Sequence, residues 1–345
     1  MPEPTRPLHL AVALDRVGAY DAEAFVRAAR FAERGCFDFV TLDDSFGPPV
    51  GGRGRLDALA VLARVAPATG RIGLVPTVTT THTEPFHVSS ALATLDWVSR
   101  GRAGWTVAVS SGEAEARAFG RRAAPPADAA WREAAAVADV VTRLWDSWED
   151  DAEIRDAATG RFVDRDKLHY VDYTYVDHAG PGFSVRGPSI VPRPPQGHPV
   201  VAVDATAPAA RPTAARHADV AYLRVRRADD VRELLAARDD LRRRARAHAR
   251  GRLVVLASLP VALHAAADAV ALADLAGRWY ADGVVDGFHF RPEDPDRDLA
   301  LLVDGTVPVL QHRGLLRRFY PGATLREHLC LPRPANFYAH AKETA

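Results

Sequence analysis

The chain has 345 residues, 48% of them hydrophobic, and its 44 basic and 44 acidic residues give a formal net charge of zero. This balance gives no electrostatic reason to expect nucleic acid or an anionic membrane as a partner. Two cysteines cannot form a disulfide framework, and no stretch suggests a signal peptide or a membrane span. We therefore expect a cytoplasmic protein with a large core.

Short apolar runs and helical patterns alternate along the chain. The strand candidates are residues 8–14, 37–42, 72–78, 103–109, 200–203, 219–225, 253–259 and 287–290. Apolar residues recur at helical spacing in residues 21–34, 56–65, 88–98, 128–148, 229–250, 268–280 and 299–319. Eight strands that alternate with helices predict an α/β protein built as a (β/α)₈ barrel.

The segment 150–197 interrupts this alternation, because it lacks a clear period and collects aromatic residues and prolines. It is too long for an ordinary connection, so we interpret it as a functional insertion within a single domain that spans residues 1–345. We expect it to pack over the carboxyl-end mouth of the barrel. The Gly- and Pro-rich loop 47–55 is a candidate mobile lid over the same mouth.

Two features are typical of other functions but give weak signals here. The run RDDLRRRARAHAR ends a helical pattern at residue 250. A solvated helix face has the same composition, so with zero net charge we expect no nucleic-acid partner. His82 and His87 are five residues apart, which is a poor spacing for one helix face, so we expect no metal site.

Polar side chains follow two consecutive strands of the predicted barrel. Thr80, Thr81 and His82 come after the strand 72–78, and Ser110 comes directly after the strand 103–109. The carboxyl ends of parallel strands meet at one edge of the sheet, and this edge is where such folds bind ligands. We therefore expect these side chains to lie close together in a site.

Several long motifs carry a family resemblance. In chain order, these motifs are FDFVTLDDSF (37–46), TTTHTEPF (79–86), ATLDWVSRGRAGWTVAVS (93–110) and LQHRGLLRRFYPGATLREHLCLPRP (310–334). Together they resemble the bacterial luciferase-like flavin monooxygenases, in the branch of the nitrilotriacetate, EDTA and dibenzothiophene-sulfone monooxygenases. The resemblance implies a TIM barrel of the bacterial luciferase-like type with insertion segments, and a flavin across its carboxyl end.

The resemblance also implies roles for individual residues. Asp44 falls where the family has an acidic residue beside the flavin ring, and a loop cap is its alternative role. Thr80 and Thr81 fall on a hydroxyl pair that contacts the flavin, and turn chemistry is their alternative. His82 replaces a usual tyrosine and is a candidate general acid or base, since its pKa lies near neutrality, or else a structural histidine.

Other positions depart from the family pattern. Thr106 stands where a flavin-contacting asparagine is usual, whereas Ser110 is kept. A His and a Tyr at the start of the long helix are replaced by Ala127 and Trp131. The phosphate loop GASEAG corresponds to residues 205–210, ATAPAA, which lack its serine and both glycines. Thr206 and Arg211 remain as phosphate contacts, so we expect FMN to be held weakly.

The function implied is that of a two-component monooxygenase, in which a separate flavin reductase supplies reduced FMN for the oxidation of a small organic substrate by dioxygen. One alternative is a deazaflavin-dependent hydride transfer on the same fold. Another is a non-catalytic relic of a flavin site that binds a ligand or partner. The resemblance also implies a homodimer, and small residues on the helix 88–98 would allow a second copy to approach closely: Ser89, Ser90, Ala91 and Ala93.

Overall fold

A computed structural model describes residues 7–16, 18–47, 53–177, 180–225, 231–249 and 251–339. Eight parallel strands close into a barrel, in the order β1, β2, β3, β4, β9, β10, β11, β12 and back to β1. Their bounds are β1 His9–Ala13, β2 Phe39–Leu42, β3 Gly73–Thr79, β4 Gly104–Ala108, β9 Val200–Asp204, β10 Val220–Arg224, β11 Val254–Val261 and β12 Gly287–Pro292. The predicted (β/α)₈ barrel is confirmed.

The strands form because each is a short, apolar run that the barrel buries on both faces. Every residue of β1 and β2 is buried, and their parallel register pairs Ala11 with Phe39. β12 closes the ring against β1, with His9 opposite Gly287. Continuous apolar runs are typical of parallel strands, since helices cover the outer face and packed side chains fill the inner one.

Helices surround the strands, most of them close to the predicted positions. Their bounds are α1 Ala22–Arg34, α2 Ala58–Val65, α3 Pro85–Ser99, α4 Glu113–Phe119, α5 Ala127–Asp146, α6 Arg211–His217, α7 Val231–Ala247, α8 Ala266–Ala281, α9 Arg297–Leu301, α10 Val307–His312 and α11 Leu325–His328. Of these helices, α4, α6 and α11 were not predicted. A π-helix, Leu302–Thr306, joins α9 to α10. The helix predicted over 299–319 ends earlier, because Gly314 takes a φ of +70°, a left-handed conformation that glycine adopts without strain.

The segment 150–197 forms two antiparallel hairpins, β5 Glu153–Asp156 with β6 Arg161–Val163, and β7 Asp172–Asp177 with β8 Gly180–Arg186. Val171 and Val185, which flank and end the second hairpin, pack with Val140 and Leu144 of α5. Asp177 of the same hairpin lies 3.8 Å from Arg132, near the start of α5. The expectation that this segment covers the mouth stays a prediction. An alternating pattern in β7 buries one side of the hairpin on α5.

Some predictions fall partly outside the described residues. The lid candidate 47–55 is one of them, because residues 48–52 are not described. The extent of the single domain over 1–345 also stays a prediction, since the first six and last six residues are not described. In the part of the chain that is described, no helix is both long and apolar enough to cross a membrane.

Candidate active site

A cavity of about 600 Å³ opens at the carboxyl ends of the barrel strands. Polar side chains from most of the strand ends point into it, and one aromatic residue of α5 closes its side. The lining residues are Asp15, Thr41, Asp43, Thr77, Thr106, Val107, Ala108, Val109, Trp131, Asp204, Tyr222, Arg224, Ser258, Pro260, His289, Arg291, Pro292 and Glu293. This is the size of a small-molecule site, and it lies where (β/α)₈ barrels place theirs.

A buried histidine forms part of the cavity wall. His289 lies between two hydroxyl groups, with Nε2 2.9 Å from Thr41 Oγ1 and Nδ1 3.0 Å from Ser258 Oγ. Its ring lies 4.8 Å from the ring of Tyr222. Burial lowers the pKa of His289 to about 3, and the positive charges of nearby arginines act in the same direction. His289 is therefore neutral at physiological pH and acts as a hydrogen-bonding group.

Charged groups of both signs surround the mouth. Asp15 and Asp43 follow β1 and β2, and the backbone amide of Asp43 donates to the Asp15 carboxylate over 2.7 Å. Arg224 and Arg291 stand at the ends of β10 and β12. Desolvation by the barrel wall raises the pKa of Asp15 to about 6, against the lowering effect of the hydrogen bond from the Asp43 amide. Asp204 at the end of β9 and Glu293 after β12 also line the cavity, so acidic groups stand near both arginines.

Among the predicted residues, Thr106 lines this cavity, whereas Thr80 and Thr81 have other contacts. The Thr80 hydroxyl donates to the carbonyl oxygen of Ala108 over 3.0 Å. The Thr81 hydroxyl accepts from the amide of Ser110 over 2.8 Å. Both side chains therefore join the ends of β3 and β4, which is the turn-chemistry alternative. Their contact with a flavin stays a prediction.

Asp44 makes the contacts of a loop cap. Its carboxylate accepts from the Arg55 guanidinium over 2.8 Å and from the backbone amide of Ala58, at the start of α2, over 2.9 Å. A carboxylate is favoured at a helix N-terminus because unpaired amide groups point at it. Asp43, one residue earlier, is the acidic residue of this loop that lines the cavity. A flavin contact by Asp44 stays a prediction.

His82 lies beside the mouth, in an aromatic cluster. Its ring stacks on Phe119 of α4 with centroids 4.9 Å apart, and Phe46 lies 6.3 Å away. Burial lowers the pKa of His82, and the positive charge of Arg122 lowers it further, against the opposing effect of Glu133. Its Nε2 atom is buried and has no hydrogen-bond partner in the described structure. Such an atom is free to bond a ligand.

A second cavity, of about 470 Å³, brings together the two predicted phosphate contacts. It is lined by Thr206, Arg211, Leu223, Arg224, Val225, Glu233, Leu234 and Ala237. The Arg211 guanidinium reaches the carbonyl oxygens of Ala205 and Thr206 at 3.3 Å, both long bonds. Thr206 is more firmly engaged, since its hydroxyl donates to Asp204 over 2.6 Å. Arg224 lines both cavities, so the two cavities are neighbours.

Several cavity residues were missed by the sequence analysis: Asp15, Thr41, Thr77, Tyr222, Arg224, Ser258, His289 and Arg291. The available signal was a polar residue within or directly after an apolar strand run. His289 and Arg291, for example, alternate with phenylalanine in GFHFRP. In a barrel strand, alternate residues face the interior, so a polar residue at one of these inward-facing positions indicates the site.

Comparison with known proteins gives a consistent result. Residues 9–309 match the family model described as luciferase-like monooxygenase. The chain is 28% identical to nitrilotriacetate monooxygenase component A of Aminobacter aminovorans, over 93% of this chain and 92% of the relative. It is 30% identical to dibenzothiophene-sulfone monooxygenase of Rhodococcus erythropolis, over 89% of each. The structure of EDTA monooxygenase from Chelativorans sp. BNC1 superposes with a TM-score of 0.81 at 22% identity, covering 95% of this chain and 99% of that one.

Proposed function

This chain belongs to the luciferase-like monooxygenase family, and from that premise we propose that it is the oxygenase of a two-component system. A separate flavin reductase supplies reduced FMN, and the oxygenase uses it with dioxygen to oxidise a small organic substrate. The relative from Aminobacter aminovorans is named as component A, which supports a second component. Both cysteines are free, which supports the proposed cytoplasmic location.

The observation that carries the proposal is the position of Arg224 between the two cavities. The central cavity has room and hydrogen-bonding groups for a flat ring system, and the second cavity holds Thr206 and Arg211. A flavin mononucleotide has this shape, with a ring at one end and a phosphate at the other. Arg224 lines both cavities, so it can contact the part of the flavin that links the ring to the phosphate.

The residues present fit the flavin on chemical grounds. Buried polar atoms normally have a partner, yet Ser110 Oγ and His82 Nε2 have none among the described residues, and both lie at the β3–β4 side of the mouth. Arg211 supplies a cation with long, easily exchanged bonds, and a cation with a hydroxyl beside it suits a phosphate. Bound reduced FMN would supply the electrons that activate dioxygen.

The protein's own residues bind and orient the flavin and the substrate, and they exclude water. Trp131 and the strand ends enclose the cavity, and the neutral His289 presents a hydrogen-bonding edge held between Thr41 and Ser258. His82 is neutral under physiological conditions because its pKa is lowered, so it can accept a proton. A water-poor cavity with fixed polar groups is the environment that such chemistry needs.

The test is rapid mixing of the protein and photoreduced FMN with oxygenated buffer. Free reduced FMN reoxidises at a known rate, so a rate of flavin reoxidation that changes with protein concentration supports the proposal. Reoxidation at the rate of free flavin, at protein concentrations of several hundred micromolar, would contradict it.

We further propose a homodimer. Ser89 and Ala93 of α3 are buried, so the small residues expected at the dimer interface serve partly to pack this helix within the chain. The exposed side of α3 instead presents Trp97 and Val98, each about half exposed. Large apolar side chains at the surface favour an interface. Light scattering at micromolar concentration should return twice the 37.4 kDa mass of one chain, and the mass of one chain would refute the dimer.

A further inference from the structure

One guanidinium in the wall of the central cavity has no ion-pair partner. Arg291 stands near the end of β12, and its Nε atom is buried without a hydrogen-bond partner among the described residues. No ion pair of Arg291 occurs within the described part of the chain, although other arginines at the mouth are paired. Arg224 contacts Asp204 over 2.5 Å, and Arg16 makes two bonds to Asp296.

The positive charge of Arg291 is incompletely compensated. Burial lowers its pKa, and the nearby charge of Arg224 lowers it further, while Asp204 and Asp15 act in the opposite direction from a longer range. The Asp204 carboxylate already has other partners, because it accepts hydrogen bonds from Thr206 and from Arg224. A partly buried charge without a close partner is unfavourable, and an anion bound against it removes the penalty.

We propose that Arg291 binds a carboxylate group of the substrate. This inference rests on the proposed function, because it assigns the substrate class of the same cavity. A guanidinium presents two parallel N–H donors that match the two oxygens of a carboxylate, which gives both affinity and orientation. The relatives do not decide the question, since nitrilotriacetate carries carboxylates and dibenzothiophene sulfone does not.

The flavin phosphate is a less suitable occupant of this position. Arg291 does not line the second cavity, where Thr206 and Arg211 lie. β11 separates β12 from β10, whose last residue is Arg224 at the junction of the two cavities. The phosphate therefore has its own cation on the far side of Arg224, which leaves Arg291 for a second anion.

Two carboxylates on the neighbouring strands restrict which other groups the substrate carries. Asp15 and Asp43 line the cavity on the β1 and β2 side, next to β12 in the barrel. A second anionic group near them would be repelled, whereas an N–H or O–H group would find an acceptor. The substrate class is therefore a small molecule with one carboxylate at Arg291 and an uncharged or hydrogen-bond-donating remainder.

The experiment is isothermal titration calorimetry with matched probes. Butyrate, hexanoate, benzoate and phenylacetate are each compared with the corresponding primary amide, which has nearly the same shape but no charge. Titrations are run with the protein alone and with oxidised FMN present. We expect at least one carboxylate to bind about tenfold more tightly than its amide, as a charge-assisted bidentate contact gives.

Substitutions test whether Arg291 produces the preference for a carboxylate over its amide. Arg291→Met should abolish it, and Arg291→Lys should retain part of it. Arg16→Met is the matched control, because Arg16 is also largely buried at the mouth but is paired with Asp296, so this variant should keep the preference.

Three results would overturn the proposal: no saturable binding of any probe, equal binding of every carboxylate and its amide, or a preference that survives in Arg291→Met. If Arg291→Met weakens FMN binding and leaves the preference intact, Arg291 contacts the flavin instead. FMN binding by the wild-type protein is measured in the same series. Intact FMN binding without any carboxylate preference therefore rejects the substrate class and leaves the monooxygenase proposal standing.

Discussion

The imidazole of His82 lies parallel to the ring of Phe119, with centroids 4.9 Å apart and 11° between the planes. The stack fixes the ring while Nε2 stays without a partner among the described residues. A histidine held in this way is positioned by packing and keeps its chemistry available. This arrangement suits a group that exchanges a proton with a ligand at the mouth.

We predict that His82→Ala slows turnover more than it weakens flavin binding. The lowered pKa of His82 keeps the ring neutral and able to accept a proton, and a positioned acid–base group contributes about 10²- to 10⁴-fold to a rate. Steady-state turnover and flavin titration of the same preparation give the two values. Phe119→Leu is the control, since it removes the stack and keeps the imidazole. Phe119→Leu should lose less turnover than His82→Ala because its imidazole remains, and equal losses of turnover and flavin binding in His82→Ala would mark His82 as structural.

We predict that Arg211→Met weakens FMN binding and spares riboflavin, which lacks the phosphate. Arg211 is the cation of the second cavity with the longest bonds, at 3.3 Å to two carbonyl oxygens. A charge-assisted bond contributes about 1.5–3 kcal/mol, which corresponds to roughly 10- to 100-fold in affinity. Thr206→Val should have a smaller effect, because that hydroxyl is already bonded to Asp204. An FMN-to-riboflavin affinity ratio that is unchanged in Arg211→Met would remove this residue from the phosphate site.

We predict that the binding of carboxylate probes weakens as the pH rises through about 6. The pKa of Asp15 is raised to about 6 by desolvation, which outweighs the lowering effects of the Asp43 amide, Arg224 and Arg291. Below this pH the carboxyl is largely neutral, and above it the ionised group competes for Arg291. The folded protein also holds this proton more tightly than the unfolded chain, so between about pH 4 and 6 the group lowers stability as the pH rises. Asp15→Asn should flatten the binding profile near pH 6, and a profile that keeps its step would rule out Asp15 as the titrating group.

A separate prediction concerns stability at the opposite end of the barrel. Asp38 is fully buried and accepts from the Arg317 guanidinium over 2.8 Å and from the Leu10 amide over 2.7 Å. Burial alone would raise the pKa of Asp38, but Arg317, His9 and the Leu10 amide outweigh it and lower the pKa to about 2. Arg317→Met leaves a buried carboxylate without its cation, so we expect a loss of about 3–5 kcal/mol in the free energy of unfolding.

Denaturant unfolding of Arg317→Met at pH 7 measures this loss. The control is Arg313→Met, which breaks an exposed ion pair with Asp274 and should change stability by less than about 1 kcal/mol. Because the folded pKa of Asp38 is depressed, the wild-type protein should also lose this contribution as the pH falls from about 4 to about 2. Equal effects of the two variants would contradict the assignment.

The sequence predicted the barrel because its strands are buried on both faces and its helices carry a regular period. Alternation within a strand indicates which polar residues face the cavity, but it is lost after the strand ends, where a shift of one residue decides the direction of a side chain. Asp43 and Asp44 illustrate this point, because Asp43 lines the cavity and Asp44 accepts from the Ala58 amide at the start of α2. The sequence did not predict the hairpin β7–β8, because its packing on α5, Phe86 and Tyr338 is a set of long-range contacts that local sequence does not encode.

We propose that the two neighbouring cavities bind reduced FMN for a reaction with dioxygen. The most direct test is an anaerobic titration of the wild-type protein with photoreduced FMN and, separately, with a reduced deazaflavin, followed by fluorescence and absorbance. We predict saturable binding of reduced FMN, tighter than that of oxidised FMN and of the deazaflavin, and a protein that purifies without colour. Tighter binding of the deazaflavin, or no binding of reduced FMN, would contradict the claim.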